Sequence, residues 1–302
     1  MATSPDDPQR PADPGVVPEN VEPALDLALE PKISRAGRDL PAAIGVGLFL
    51  GALILSTLYT RRAIFVAVVI VAVSIGVSEI AKALRVGGFH AAQIPIIAGG
   101  RATMALAYNR GPEAAIVGLM LTVAALFVWR LTEPGRGLLR DLSASIFTLV
   151  YVPFLASFAC LLTAPSDGPR RVTIFIAVTV CSDVGGYAAG VFAGKHPMAP
   201  SISPKKSWEG FVGSVFASGL GGAILGATLL HLAIWQGIAV GVATAACATL
   251  GDLGESMIKR DIGIKDMGSI LPGHGGIMDR LDSLLLVAPV SWLLLSAFAP
   301  VI

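Results

Sequence analysis

The sequence is poor in charge, in aromatic side chains and in cysteine. Of its 302 residues, 14% are charged and 7% are aromatic, whereas 54% are hydrophobic. The mean hydropathy is +0.73. A soluble domain carries about 25% charged residues, so this chain has too little polar surface to cover a water-soluble globule. The shortage of charge therefore predicts that most of the chain lies in a lipid bilayer.

The cysteine content and the net charge argue against a disulfide-rich protein and against a nucleic-acid-binding protein. The three cysteines, Cys160, Cys181 and Cys247, lie singly within apolar stretches, so we expect no disulfide framework. A net charge of +1 provides no overall basic character of the kind that attracts nucleic acid. We therefore expect no nucleic-acid partner.

Long apolar stretches are abundant instead. A membrane-spanning helix needs roughly 20 mostly apolar residues, and on that rule the chain has about nine candidates. They are 40–60, 62–84, 91–108, 113–131, 142–163, 172–194, 208–232, 234–256 and 280–300. The third is interrupted by Pro95 and Arg101, and a tight turn at Arg61 and Arg62 separates the first two. These stretches predict an all-α polytopic integral membrane protein.

The pattern divides the chain into three regions. Residues 1–38 are acidic and rich in proline, which predicts a disordered cytoplasmic tail. We expect N-terminal transmembrane helices over 39–170 and a C-terminal transmembrane catalytic region over 171–302. An N-terminus inside the cell places most Lys and Arg residues on the cytoplasmic side, as the positive-inside rule requires. Both long polar loops, 195–207 and 257–279, then share the cytoplasmic face of the plasma membrane, where we expect the active site.

Carboxylates inside apolar stretches are costly in a membrane and mark candidate functional sites. The chain has them at Glu79, Asp183, Asp252 and Glu255. Glu79 precedes Lys82 by three residues, so an ion pair at the membrane edge is its simplest explanation. The other three belong to the C-terminal region and lie beside glycines, which indicates a functional role.

Residues 181–210 form the first polar segment of that region. Asp183 is followed by several glycines, which permit close backbone approach or a broken helix. Further on, Ser203, Lys205, Lys206 and Ser207 precede a new apolar helix that Ser207 could cap. Lysines beside the free N–H groups of a helix start suit a phosphate. The alternative is a positively charged loop with an ordinary helix cap.

Residues 251–283 form the second polar segment, in which charges of both signs alternate with glycine. Asp252 and Glu255 are three residues apart and share a helix face, as do Asp279 and Asp282. Carboxylates, lysines, an arginine and glycine turns together fit phosphoryl-type transfer, in which Asp oxygens hold a divalent metal. The alternative is a solvated loop whose charges merely pair with one another.

The run SMIKRDIGIKDMGSILPGHGGIMDRLDS, from Ser256 to Ser283, closely resembles the signature of the phosphatidate cytidylyltransferase (CDP-diacylglycerol synthase) family. The residues that fill the pattern are Lys259, Arg260, Lys265, Asp266, Pro272, His274, Gly275, Gly276, Asp279, Arg280 and Asp282. The run SPKKSWEG at 203–210 resembles a second stretch of the same family. One departure is Gly186-Tyr187 after Ser182-Asp183, where the family commonly has Asn-Asp followed by Ala-Tyr.

The resemblance implies Mg²⁺-dependent condensation of CTP with phosphatidic acid, giving CDP-diacylglycerol and pyrophosphate for phospholipid biosynthesis. It implies that Asp252 and Asp279 hold the catalytic metal, which is Mg²⁺, and it leaves open whether K⁺ is a second cation. It also implies that Lys259 and Arg280 complete the set of catalytic residues. The substrate-binding residues that it implies are Asp183, Ser203, Lys205, Lys206, Ser207, Lys265, Asp266, His274, Gly275 and Gly276. It also implies a homodimer surrounded by membrane lipids.

Two other functions remain open at this point. An ion-coupled transporter would use Asp183 and Asp252 beside broken helices as a cation site, but it would need corresponding interrupted segments in both halves of the chain. A related CTP-dependent enzyme could act on another lipid phosphate or on a polyprenol, because an acyl-chain groove is lined by ordinary apolar residues.

Overall fold

Ten α-helices and one β-hairpin make up the described part of the chain. The structure is a computed structural model and describes residues 40–133, 137–268 and 275–300. The helices are α1 Leu40–Thr60, α2 Arg62–Val86, α3 Gln93–Arg110, α4 Pro112–Leu131, α5 Leu138–Leu149, α6 Leu155–Thr163, α7 Gly168–Ala193, α8 Trp208–Leu230, α9 Ile234–Ile262 and α10 Met278–Phe298. The hairpin pairs β1, Pro197–Ala199, with β2, Ser203–Ser207, in antiparallel register.

Seven helical segments are long and apolar enough to cross a membrane, with α5 and α6 counted as one continuous span. This confirms the predicted all-α polytopic membrane fold. Helix α3 is not among the seven because Gln93, Arg101 and Asn109 lower its hydropathy, and the apolar stretch Gly47–Thr60 of α1 is shorter. The number of spans therefore stays a prediction. The predicted tail, 1–38, lies outside the described residues.

Local chemistry explains where several helices begin and end. Helix α1 ends at Thr60 and α2 begins at Arg62, with Arg61 extended between them, as the tight turn predicts. Pro112 occupies the first turn of α4, where a missing N–H costs nothing. Helix α9 ends at Gly263, whose φ of 78° lies in the left-handed region that glycine tolerates.

A five-residue π-helical turn, Val150–Phe154, joins α5 to α6. Pro153 lies inside this turn, where its missing N–H disrupts the regular hydrogen-bond pattern. The proline ring packs against α3 at Gly100, where an added Cβ would lie 2.7 Å from the Cβ of Pro153. The irregular turn is thus matched to a glycine on the neighbouring helix.

A buried arginine joins α7 to α10 at the end of the bundle away from the hairpin. Arg171 is 1% exposed and donates to the carbonyls of Leu295 at 2.9 Å and Ala299 at 2.5 Å. Its Nε also donates to Asp167 at 2.7 Å. These bonds give the carbonyls at the end of α10 a donor from another helix.

Helices α7, α8 and α9 pack so closely that glycine backbones touch. A Cβ added to Gly185 would collide with Gly213 O, and one added to Gly222 would collide with Gly237 O. Of the two roles considered for the glycines after Asp183, close backbone approach is confirmed, because α7 is a continuous helix. Glycines of α8 also pack within this chain, since Gly222 contacts α9 and Gly221 contacts Cys181.

The α8–α9 contact predicts different outcomes for two glycines on α8. We expect Gly222→Ala to destabilise the protein by about 1–3 kcal/mol, because the new methyl group has no space beside Gly237. Gly219→Ala is the matched control, because its Cβ would meet only Ile238 at 4.0 Å. Thermal unfolding in detergent should separate the two variants, and equal stability of both would contradict the close packing.

Candidate active site

One end of the bundle gathers the polar segments around a cavity of 670 Å³. The end of α7, the hairpin, the start of α8, the end of α9 and the start of α10 all lie there. Eight of the predicted site residues line the cavity, namely Asp183, Ser203, Lys205, Lys206, Ser207, Asp252, Asp279 and Arg280. The structure therefore brings together two sequence segments that lie well apart along the chain.

The hairpin is held in place by the first turn of α8. The Glu209 carboxylate accepts from the backbone N–H groups of Lys195 at 3.1 Å and His196 at 3.2 Å, and it contacts the His196 ring at 2.5 Å. Ser207 caps α8, as predicted, by accepting from Gly210 N at 3.1 Å. These bonds fix the direction of β2 and hence the position of its two lysines.

Lys206 links the hairpin to α9. Its ammonium group forms an ion pair with Asp252, whose side chain is 41% exposed toward the cavity. Asp282, from α10, lines the same cavity. Asp183 on α7 also lines this cavity and is exposed to it. Carboxylates from three helices thus line one cavity.

Lys259 connects α9 with α10 behind this cavity. Its Nζ donates to Glu255 Oε2 at 2.7 Å, on the same helix, and to Asp279 Oδ1 at 2.9 Å on α10. Glu255 is 1% exposed, and the Lys259 side chain is 16% exposed. One cation therefore balances two carboxylates that have little access to water.

Asp279 is further held by backbone donors. Its carboxylate accepts from Gly276 N at 2.8 Å and from Met267 N at 3.2 Å. Gly275, with a φ of 79°, lets the chain turn just before α10. Gly275 and Gly276, predicted as substrate ligands, both lie against Asp279.

Not all of the predicted residues line the cavity. Lys265 and Asp266 are exposed and do not line the cavity, although Asp266 directly precedes Met267. His274 and Pro272 lie outside the described residues. Arg280 is exposed at the cavity, and Arg260 is exposed and donates from Nε to Ile202 O at 3.3 Å.

Three carboxylates acquire positions that the sequence did not indicate. Glu255 pairs with Lys259, and Asp282 lines the same cavity as Asp252. Glu79, expected to pair with Lys82, is instead 2% exposed and accepts from Met278 N at 2.7 Å, while Lys82 is exposed. The ion-pair prediction for Glu79 is therefore wrong. Its position within an apolar helix was the only available signal.

The donor set fits a hard cation that arrives with a phosphate-bearing substrate. Among the residues that the structure describes, no three His, Cys, Asp or Glu side chains form a metal-holding cluster. Mg²⁺, however, is commonly bound through one or two carboxylates and completes its octahedron with water and substrate phosphates. Asp252 and Asp279 line one cavity and offer the oxygen ligands that Mg²⁺ prefers.

Aliphatic side chains also line the cavity, among them Ile176 and Val180 of α7 and Leu284 of α10. A cavity lined by both charged and aliphatic side chains suits an amphipathic molecule with a charged headgroup.

Comparison with known proteins supplies independent information. Residues 41–298 match the model of a family described as the cytidylyltransferase family. The chain is 42% identical over 291 residues to a protein of Mycobacterium bovis named phosphatidate cytidylyltransferase, covering 91% of this chain and 95% of that one. It is 43% identical over 279 residues to the protein of the same name from Mycobacterium leprae, covering 87% and 89%. A Synechocystis protein of that name is 30% identical over 295 residues, covering 88% and 98%.

The Lys259 bridge predicts that substitutions of two different lysines have very different effects on the stability of the protein. We expect Lys259→Met to destabilise the protein by about 3 kcal/mol or more, because Glu255 and Asp279 would lose their shared cation while remaining shielded from water. Lys265→Met is the matched control, since it removes the same charge from an exposed side chain. Thermal unfolding in detergent measures both, and a fully stable Lys259→Met variant would contradict the bridge.

Proposed function

The chain belongs to the cytidylyltransferase family, and from that premise we propose that it is a phosphatidate cytidylyltransferase of phospholipid biosynthesis. In this reaction, CTP and phosphatidic acid give CDP-diacylglycerol and pyrophosphate. The observation that carries the proposal is the cavity, which is lined by Lys205, Lys206 and Arg280 together with aliphatic side chains of α7 and α10. The cationic groups suit a triphosphate, and the aliphatic side chains suit a substrate that stays in the bilayer.

The proposed chemistry places few demands on proton transfer. A phosphate oxygen of the lipid attacks the α-phosphorus of CTP, a new O–P bond forms, and the bond to the β-phosphate breaks as pyrophosphate leaves. The nucleophile is already an anion, so no strong general base is needed. The barrier lies in bringing two anions together, and preorganised positive charge lowers that barrier. Lys205, Lys206 and Arg280 supply such charge at the cavity wall.

We propose Asp252 and Asp279 as the residues that hold Mg²⁺, with K⁺ as a candidate second cation. A bound divalent cation would neutralise phosphate charge and align the reacting groups. In the chain itself, Asp252 is kept in place by Lys206 and Asp279 by Lys259. Both carboxylates are thus oriented by lysines before any substrate binds.

The proposal also covers location and assembly. The positive-inside pattern supports a plasma-membrane protein whose N-terminus and active-site loops are cytoplasmic, where water-soluble CTP is available. The ends of α7 and α9 and the starts of α8 and α10 share one side of the bundle, which supports a single active-site face. A homodimer remains part of the proposal on family resemblance alone.

Pyrophosphate release tests the reaction directly. Purified protein should release pyrophosphate only when CTP, phosphatidic acid and Mg²⁺ are all present. We expect Asp279→Asn to slow release by about 100-fold or more, the scale of losing one preorganised electrostatic group. The control Asp261→Asn, an exposed carboxylate at the end of α9, should retain wild-type activity.

Two outcomes would contradict the proposal. The first is that folded, monodisperse wild-type protein releases no pyrophosphate. A parallel assay with a polyprenyl phosphate as the acceptor would then detect a different lipid substrate. The second is full activity of Asp279→Asn, which would remove that carboxylate from the reaction.

A second experiment addresses nucleotide binding. We expect Lys206→Met to raise the KM for CTP by about 10-fold, the scale of one charge-assisted hydrogen bond, because it removes an ammonium group from the cavity. Lys195→Met removes the same charge from an exposed position outside the cavity. Steady-state kinetics should show a change in KM only for Lys206→Met, and equal effects would indicate general electrostatic attraction instead.

A further inference from the structure

Glu79 is a carboxylate of the N-terminal half that lies against the catalytic segment. It is carried by α2, is 2% exposed, and accepts the N–H of Met278 at 2.7 Å. Its other oxygen, Oε1, is buried and has no hydrogen-bond partner within the described residues. A carboxylate in such surroundings is expensive, and a position of this kind calls for a physical explanation.

The Met278 N–H belongs to the first residue of α10. The residue before that helix, Ile277, has a side chain that cannot cap it. The first N–H groups of a helix have no partner within the helix and carry partial positive charge. Glu79 therefore acts as the missing cap, supplied by a helix that lies 199 residues earlier in the sequence.

Glu79 also fills the space between two glycine backbones. A Cβ added to Gly268 would collide with Glu79 Oε1, and one added to Gly276 would lie 2.7 Å from Oε2. The same Cβ on Gly276 would lie 2.9 Å from Asp279 Oδ2. The carboxylate of Glu79 is thus one contact away from that of Asp279, with only a glycine backbone between them.

Asp279 and Arg280 immediately follow the capped residue, and both line the cavity. The direction in which these two side chains point depends on where the first turn of α10 begins. That start is set by the bond from Met278 to Glu79 together with the bonds that Gly276 and Met267 donate to Asp279.

We propose that Glu79 is a positioning residue for the reaction. By accepting the first N–H of α10 and packing between Gly268 and Gly276, it fixes the backbone that presents Asp279 and Arg280 to the cavity. Its effect on turnover rests on the proposed function, whereas its effect on the backbone does not.

The experiment compares four proteins in detergent by steady-state kinetics and by hydrogen exchange. Glu79→Ala should lower kcat by about 100-fold with a smaller change in the KM for CTP, because misplacing a reacting group by about 1 Å costs that much. Glu79→Gln keeps an acceptor oxygen at the same reach and should recover most of the lost kcat. Lys82→Ala, on the exposed side of α2, should match the wild type.

Hydrogen exchange reports the positioning without any turnover. In Glu79→Ala, peptides that contain Met278 should exchange about 5-fold faster, the scale of losing one helix cap, while peptides of α4 stay unchanged. If Glu79→Ala does not fold, Glu79→Asp replaces it, because its carboxylate is one methylene too short for Met278. A wild type without turnover would overturn the proposed reaction, and the exchange data would still decide the role of Glu79.

Three results would overturn the inference. They are unchanged exchange at Met278 in Glu79→Ala, a Glu79→Gln variant that is no more active than Glu79→Ala, and a Lys82→Ala variant that is as impaired as Glu79→Ala. The last result would restore the ion pair between neighbouring turns of α2.

Discussion

Carboxylates with little access to water have to be balanced locally, and Lys259 provides this balance where α9 meets α10. Its single ammonium group serves Glu255 on its own helix and Asp279 on α10. Removing either contact would leave a carboxylate largely shielded from water, which costs several kcal/mol. The bridge therefore ties α9 to α10 and helps to hold Asp279 in place.

The site is built from pairs in which one member orients another. Glu209 holds the hairpin, the hairpin presents Lys206, and Lys206 pairs with Asp252. On the other side, Lys259 and the backbone of Gly276 hold Asp279. Lys206, Asp252 and Asp279 are therefore each held by a neighbour from a different element. Such preorganisation matters for the proposed reaction, whose main obstacle is repulsion between two anions.

Local properties of the sequence predicted most of this arrangement. The length of an apolar stretch predicts a membrane-spanning helix, and a serine before such a stretch predicts a helix cap. The apolar helices and the capping role of Ser207 could therefore be predicted from the sequence. The two polar segments could be assigned to one face because alternating spans return to the same side. The short hairpin was not predicted, since residues such as Pro197 and Lys205 carry no alternating pattern of apolar side chains.

Tertiary partners were beyond such reasoning. Spacing along one helix suggested Lys82 for Glu79, because sequence shows only the partners that lie nearby. The actual partner, Met278 N, is a backbone group, and every residue except proline has one, so no side-chain pattern marks it. The glycines of α8 were equally ambiguous, since a close approach can be made to another protein copy or to a neighbouring helix. Their contacts with Gly237 and Cys181 assign them to this chain.

The contact between α7, α8 and α9 has a mechanical consequence. Packed helices ordinarily slide past one another by small rotamer changes in the side chains between them. Where Gly185 meets Gly213 and Gly222 meets Gly237, there is no side chain to rearrange. We therefore expect α7, α8 and α9, which all contribute to the cavity lining, to move as one body when a bulky molecule enters or leaves.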